Sequence, residues 1–99
     1  MSARLVFGKV TYMNVIDVQP TPNPNALKFV VEGTISDRPL SFFNADAGRE
    51  HPLASRLFAI PGVASLLILN DFVTVSKTPE ASWKSITPAA RRVLAEAGA

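Results

Sequence analysis

Apolar and polar residues change rhythm at Pro52, and that change predicts the architecture of the chain. From Tyr12 to Val18 the two classes alternate well enough for a strand, with Tyr12, Asn14, Ile16 and Val18 on one side and Met13, Val15 and Asp17 on the other. Ala26–Val31 predicts a second strand with Leu27, Phe29 and Val31 on one face, and Glu32-Gly33-Thr34 supplies a turn after it. Residues 12–31 therefore read as a hairpin. The next apolar patch, Leu40 to Phe43, is short and follows Asp37-Arg38-Pro39, which predicts a brief edge strand where the missing proline donor is tolerated. Asn44 to Glu50 reads as a loop.

Beyond Pro52 the period lengthens. Leu53, Leu57 and Ile60 stand at i, i+4 and i+7, Ala54 and Phe58 widen the stripe, and the result is an amphipathic helix. Pro52 suits its first position, His51 falls at the N-cap, and Pro61-Gly62 stops it. Val63–Leu69 is apolar on both faces, as in a central strand, with Leu67 and Leu69 on one side and Leu66 and Ile68 on the other. Asn70-Asp71 can make a tight turn back into Phe72–Ser76. Trp83, Ile86, Ala90, Val93, Leu94 and Ala97 then mark a helix within residues 80–97. Pro88 leaves two versions of it: a start near Ser82 with Pro88 past the first turn, or a new start at Pro88 with Thr87 as cap.

The order β-β-β-α-β-β-α predicts an α+β fold, a two-layer sandwich with a mainly antiparallel sheet and both helices on one face. If Leu67 and Leu69 point to the helices, Leu66 and Ile68 are left on the open face. Such a strip signals a partner or self-association, unless the N-terminal strand or loop 32–39 covers it.

Between the first two strands lies Pro20-Thr21-Pro22-Asn23-Pro24-Asn25. Three prolines fix φ at their own positions and bias Gln19, Thr21 and Asn23 away from helical angles, so the loop is stiff before anything binds. Two readings of its carboxamides stand side by side. Asn23 and Asn25 either meet a partner from a preordered backbone or close Asx turns within the loop.

A chain of 99 residues, 47% hydrophobic, has room for one domain and enough apolar mass for a core. Residues 10–99 are assigned to that domain and residues 1–9 to an N-terminal extension, disorder being one option for it. The formal charge of +2 is small and dispersed, with Arg91-Arg92 the one adjacent basic pair, which argues against a nucleic-acid surface. No apolar run reaches spanning length, and the N-terminus lacks a secretory pattern, so no membrane partner and a cytoplasmic location are expected.

Cysteine is absent, which removes disulfides, thiolate catalysis and any cysteine-held zinc or iron–sulfur centre from this chain alone. The single His has no companion ligands, and the acidic residues do not pair in sequence. No nucleophile elbow or phosphate loop is present. Neither an enzyme nor a bound cofactor is expected.

Four motifs in order carry a resemblance: Thr21-Pro22-Asn23-Pro24-Asn25-Ala26-Leu27-Lys28-Phe29; Pro52-Leu53-Ala54-x-x-Leu57-Phe58-x-Ile60-x-Gly62-Val63; Asp71-Phe72-Val73-Thr74-Val75-x-Lys77; and Trp83. Together they resemble the N-terminal domain of the Nfu/NifU-like iron–sulfur scaffold proteins. The resemblance implies a similar α+β fold and a role beside cluster assembly or delivery. Two departures accompany it. The companion Cys-x-x-Cys domain is not in this chain, and His51 stands where the family more often has Ser.

The resulting expectation is a non-catalytic module that recognises a protein, either an iron–sulfur client or a separate cluster-carrying scaffold, with oligomeric state left open. Thr21, Asn23, Asn25 and Lys28 are the candidate contacts, with Arg56 and Lys77 as weaker additions. The competing expectation is a small anion or phosphopeptide site made by Lys28, Arg56 and Lys77.

Overall fold

The computed structural model describes residues 14–97, so Met1–Met13, including the predicted extension and the first two residues of the predicted first strand, lie outside the described residues. Among the described residues five strands and two helices follow in the expected order: β1 (Val15–Pro20), β2 (Ala26–Val31), β3 (Ser36–Phe42), α1 (Pro52–Phe58), β4 (Val63–Asn70), β5 (Phe72–Lys77) and α2 (Trp83–Ala97). All pairings are antiparallel, and the spatial order is β1-β2-β5-β4-β3. β2 and β3 are neighbours in sequence yet sit three places apart. Their connection arches over the β4–β5 tip, where Val31 N–H donates to the Asp71 carbonyl (2.8 Å) and Ile35 N–H to that of Asn70 (2.6 Å).

One face of the sheet carries both helices. Phe29, Val31, Leu66, Ile68, Val73 and Val75 meet Leu53 and Leu57 of α1 and Ile86, Ala90 and Leu94 of α2 in a single cluster, most of whose side chains are wholly shielded. Leu66 and Ile68 therefore face the helices, and Leu67 and Leu69 occupy the open face, the reverse of the arrangement considered for them from sequence alternation. The register explains the choice. Leu66 lies opposite Val75 and Ile68 opposite Val73, so the strands share one pleat parity.

Two bulges refine that parity. In β1, Val15 pairs with Val31 and Asp17 with Val30, so Ile16 is the extra residue and is 60% exposed. Val15 and Val18, three apart, consequently both pack on the core, where strict alternation puts Ile16 and Val18 together. In β4 a second shift, at Ala64, brings Val63 and Leu66 to the same side in the same way.

β3 is an edge strand, as Pro39 requires, but it begins at Ser36, and its register against β4 slips between Ser36 and Leu40, around that proline. The Asn70-Asp71 turn places only Asn70 at positive φ, at 53°.

The helices begin as their capping residues dictate. His51 accepts the Ala54 N–H at Nδ1 (3.2 Å), capping α1, and Pro52 occupies the first turn, where no intrahelical donor is needed. Gly62 then turns the chain at φ 97°; a Cβ there would lie 2.6 Å from that of Ala81, so no other residue fits. For α2 the first of the two versions holds. Ser82 is the cap, its Oγ accepting from Lys84 N–H (3.1 Å), and the helix runs through Pro88, leaving the Lys84 carbonyl without its usual donor.

Candidate functional site

The proline loop holds itself together. The Thr21 hydroxyl accepts from Asn23 N–H (3.1 Å) and lies within donating distance of the Asn23 and Ala26 carbonyls (2.9 and 3.0 Å). Asn23 Oδ1 accepts from Asn25 N–H (2.9 Å), which is the Asx turn, and the Asn23 carbonyl accepts from Ala26 N–H (3.0 Å).

A second set of bonds fastens the loop to the β5–α2 junction. Lys77 N–H donates to the Asn25 carbonyl (2.8 Å) and its ammonium donates to Asn25 Oδ1 (3.0 Å) and to the carbonyls of Thr78 and Pro79 (3.3 Å each). Trp83 Nε1–H donates to the Pro24 carbonyl (3.1 Å), and its ring lies 5.9 Å from the Lys77 ammonium. The backbone carbonyls of a proline-rich loop cannot pair with one another in a ladder, so side chains from elsewhere complete them. The fastening role of Trp83 is not visible in the sequence, where only the apolar spacing of α2 and its place in the fourth motif mark it.

Lys28 is in a different setting. It projects from β2 on the open face, next to core-facing Phe29, with its ammonium 4.2 Å from the centroid of the Phe72 ring. Phe72 pairs with Val30 on one side and Leu69 on the other, and Leu67 lies opposite Thr74 in the next row. Val30, Phe72, Leu69 and Leu67 thus form a half-buried apolar strip beside Lys28, on the side that carries no helix among the described residues. The sequence predicts such a strip, but builds it from Leu66 and Ile68.

The candidate residues divide accordingly. Thr21, Asn23, Asn25 and Lys77 come together in one hydrogen-bonded corner, and Lys28 stands on the open face. Arg56 belongs to the helix layer, where its Nη2 meets Glu96 Oε1 at 2.6 Å and ties α1 to α2. Lys28, Arg56 and Lys77 do not converge on a common anion. Among the described residues no three His, Asp or Glu side chains gather as metal ligands, and no helix is long and apolar enough to cross a membrane. A shallow hollow of about 490 Å³ lies against α1, lined by Ala45, Phe58 and Ala59 and by the Asp46–Arg49 ion pair (3.2 Å). Its two charges are matched to each other, and Ser55, whose hydroxyl donates to the Pro52 carbonyl (3.2 Å), also lines it.

The fold and this surface define a small α+β domain with a self-stapled loop and an open apolar sheet face. Residues 16–99 match the family described as scaffold protein Nfu/NifU N terminal, and the chain belongs to that family. It is 41% identical to the human protein named NFU1 iron–sulfur cluster scaffold homolog, mitochondrial, over 83% of this chain and 33% of that one. A protein of the same name from Drosophila willistoni is 39% identical over 88% of this chain and 30% of its own length. The solution structure of a NifU-like protein from Saccharomyces cerevisiae superposes with a TM-score of 0.73 at 30% identity, covering 86% of this chain and 77% of that one. The chain spans about a third of the length of these curated relatives.

Proposed function

We propose that this domain is a non-catalytic protein-recognition module accessory to iron–sulfur cluster assembly or delivery. One observation carries the reading: the chain matches the scaffold family over residues 16–99 while containing no cysteine to hold a cluster itself. Its contribution is to position a partner, either an apo client or a separate cluster-bearing scaffold, and no cofactor is assigned to it.

The proposed contact surface is the open sheet face together with the loop beside it. Val30, Phe72, Leu67 and Leu69 supply apolar area, and Lys28 supplies an orienting charge. Thr21, Asn23 and Asn25 act in this scheme chiefly by keeping the loop in one shape, so that little ordering accompanies binding. Lys77 serves the same end, and Arg56 serves the helix layer. The cytoplasm is the proposed location, although two of the relatives are named as mitochondrial.

Anaerobic pull-down from a cell extract, with the wild-type chain and a Lys28→Glu, Phe72→Ser variant as baits, tests the proposal. Iron–sulfur proteins should be enriched by the wild type and lost with the variant. Equal recovery by both baits would sink the assigned surface, and no enrichment of iron–sulfur proteins by either would sink the function.

A further inference from the structure

The cations of this domain are unevenly matched. Arg38 meets Asp37 (3.7 Å), Arg49 meets Asp46 (3.2 Å) and Arg56 meets Glu96 (2.6 Å). Lys28 lies over the Phe72 ring, and Lys77 is taken up by Asn25 and two carbonyls. Among the described residues the cations left over are Lys84, Arg91 and Arg92, and all three are on α2. None has an Asp or Glu carboxylate within 4.0 Å, although all eight Asp and Glu side chains of the chain lie within the described residues.

Their spacing puts them on one surface. Positions i, i+7 and i+8 fall within about 100° of arc on a helix of 3.6 residues per turn. All three are exposed, with exposed Ser85 and Pro88 between them, while Ile86, Ala90 and Leu94 on the opposite side of α2 are fully buried. Glu96 could have offset this stripe as the i+4 partner of Arg92, but it is turned to Arg56 on α1.

We infer that the outer face of α2 is a docking surface for an acidic protein segment, which supplies the carboxylates that Lys84, Arg91 and Arg92 lack. Charge complementarity selects that occupant. A nucleic acid calls for a longer basic track or aromatic side chains for stacking, and this stripe has neither. A membrane surface calls for bulky apolar residues alongside the cations, whereas here the stripe is interrupted only by Ser85, Pro88 and Ala95. This goes beyond the function proposed above, because it concerns the opposite side of the molecule and holds whichever protein takes the sheet face. Two opposed docking faces would let one domain bridge two proteins.

Titration of the isotope-labelled full chain with a synthetic Glu-rich peptide, followed by amide NMR at low salt, tests the inference. Shifts should cluster at Lys84, Ser85, Arg91 and Arg92, fade as salt is raised, and weaken about tenfold in apparent affinity for Arg91→Glu, Arg92→Glu. Arg38→Glu, on the β3 edge, should bind as the wild type does. Arg91→Gln, Arg92→Gln gives a smaller loss and carries the test if charge reversal disturbs the spectrum of the free protein. Shifts that are absent or scattered, undiminished binding by the α2 variants, or tighter binding of an oligo(dT) strand or of phosphatidylserine vesicles at the same salt would each overturn it.

Discussion

The two faces of β4 are made from the same kind of residue and have opposite fates. Leu66 and Ile68 are 3% and 0% exposed under the helices, whereas Leu67 and Leu69, on the same strand, are only half-buried on the open side. The lysines repeat the contrast. Lys77 shares the parity of core-facing Val73 and Val75, and its ammonium is consumed by three oxygen acceptors at the loop corner. Lys28 shares the parity of Val30 and has one aromatic ring for company. On the covered face, side chains are spent on holding the domain together; on the open face, similar side chains are left with capacity to meet something else. Residue type alone therefore does not distinguish a structural group from an available one.

The sharpest way to break that contrast is to truncate both faces of one strand. Ile68→Ala should lower unfolding free energy by about 2–5 kcal/mol in a denaturant titration, through lost burial and the cavity left behind. Leu67→Ala should cost less than half as much; an equal loss would mean that the open face is covered in solution. At the loop corner, Lys77→Met should remove about 1–2 kcal/mol, a partly exposed ammonium with oxygen partners being worth less than a buried one. It should also speed amide exchange at Asn25 and Ala26. Lys28→Met on the other face should change stability by no more than about 0.5–1 kcal/mol, the scale of an exposed cation–aromatic contact. If Lys28→Met destabilises as much as Lys77→Met, the open face is structural and the proposed interface fails. The smallest effect is expected at the α1 cap, where His51→Ser should gain about 0.5 kcal/mol in thermal unfolding, serine being among the preferred N-cap residues.

Much of this arrangement is legible in the sequence. β2 is read to the residue because its alternation is unbroken, and the start of α1 because proline marks its first position, although the helix ends at Phe58, two residues short of the Pro61-Gly62 stop. The edge position of β3 comes from Pro39. The stiffness of Pro20–Asn25 is equally plain, since it arises from ring closure within each proline. What escapes is non-local. The extra residue at Ile16 and the register slip at Ala64 depend on how a strand matches its neighbour, and neither leaves a mark such as glycine in its own strand. The choice between Leu66 with Ile68 and Leu67 with Leu69 cannot be made within β4, because both pairs are equally apolar. The fastening of Pro24 and Asn25 by Trp83 and Lys77 joins residues more than fifty positions apart in the chain.

By itself the sequence determined the order of elements, the rigidity of the proline loop, the family to which the motifs belong and the absence of any thiol for metal. These are local or compositional properties, set by backbone restriction, periodicity and residue count. Tertiary structure alone decided which polar groups are already used. It turned Thr21 and Asn23 onto the loop's own backbone, gave Asn25 Oδ1 to the Lys77 ammonium, drew Glu96 away from α2 to Arg56, and left Lys28, Lys84, Arg91 and Arg92 without an Asp or Glu partner among the described residues. The physical reason is that satisfaction of a hydrogen bond or a charge is a property of pairs, and folding is what chooses the pairs.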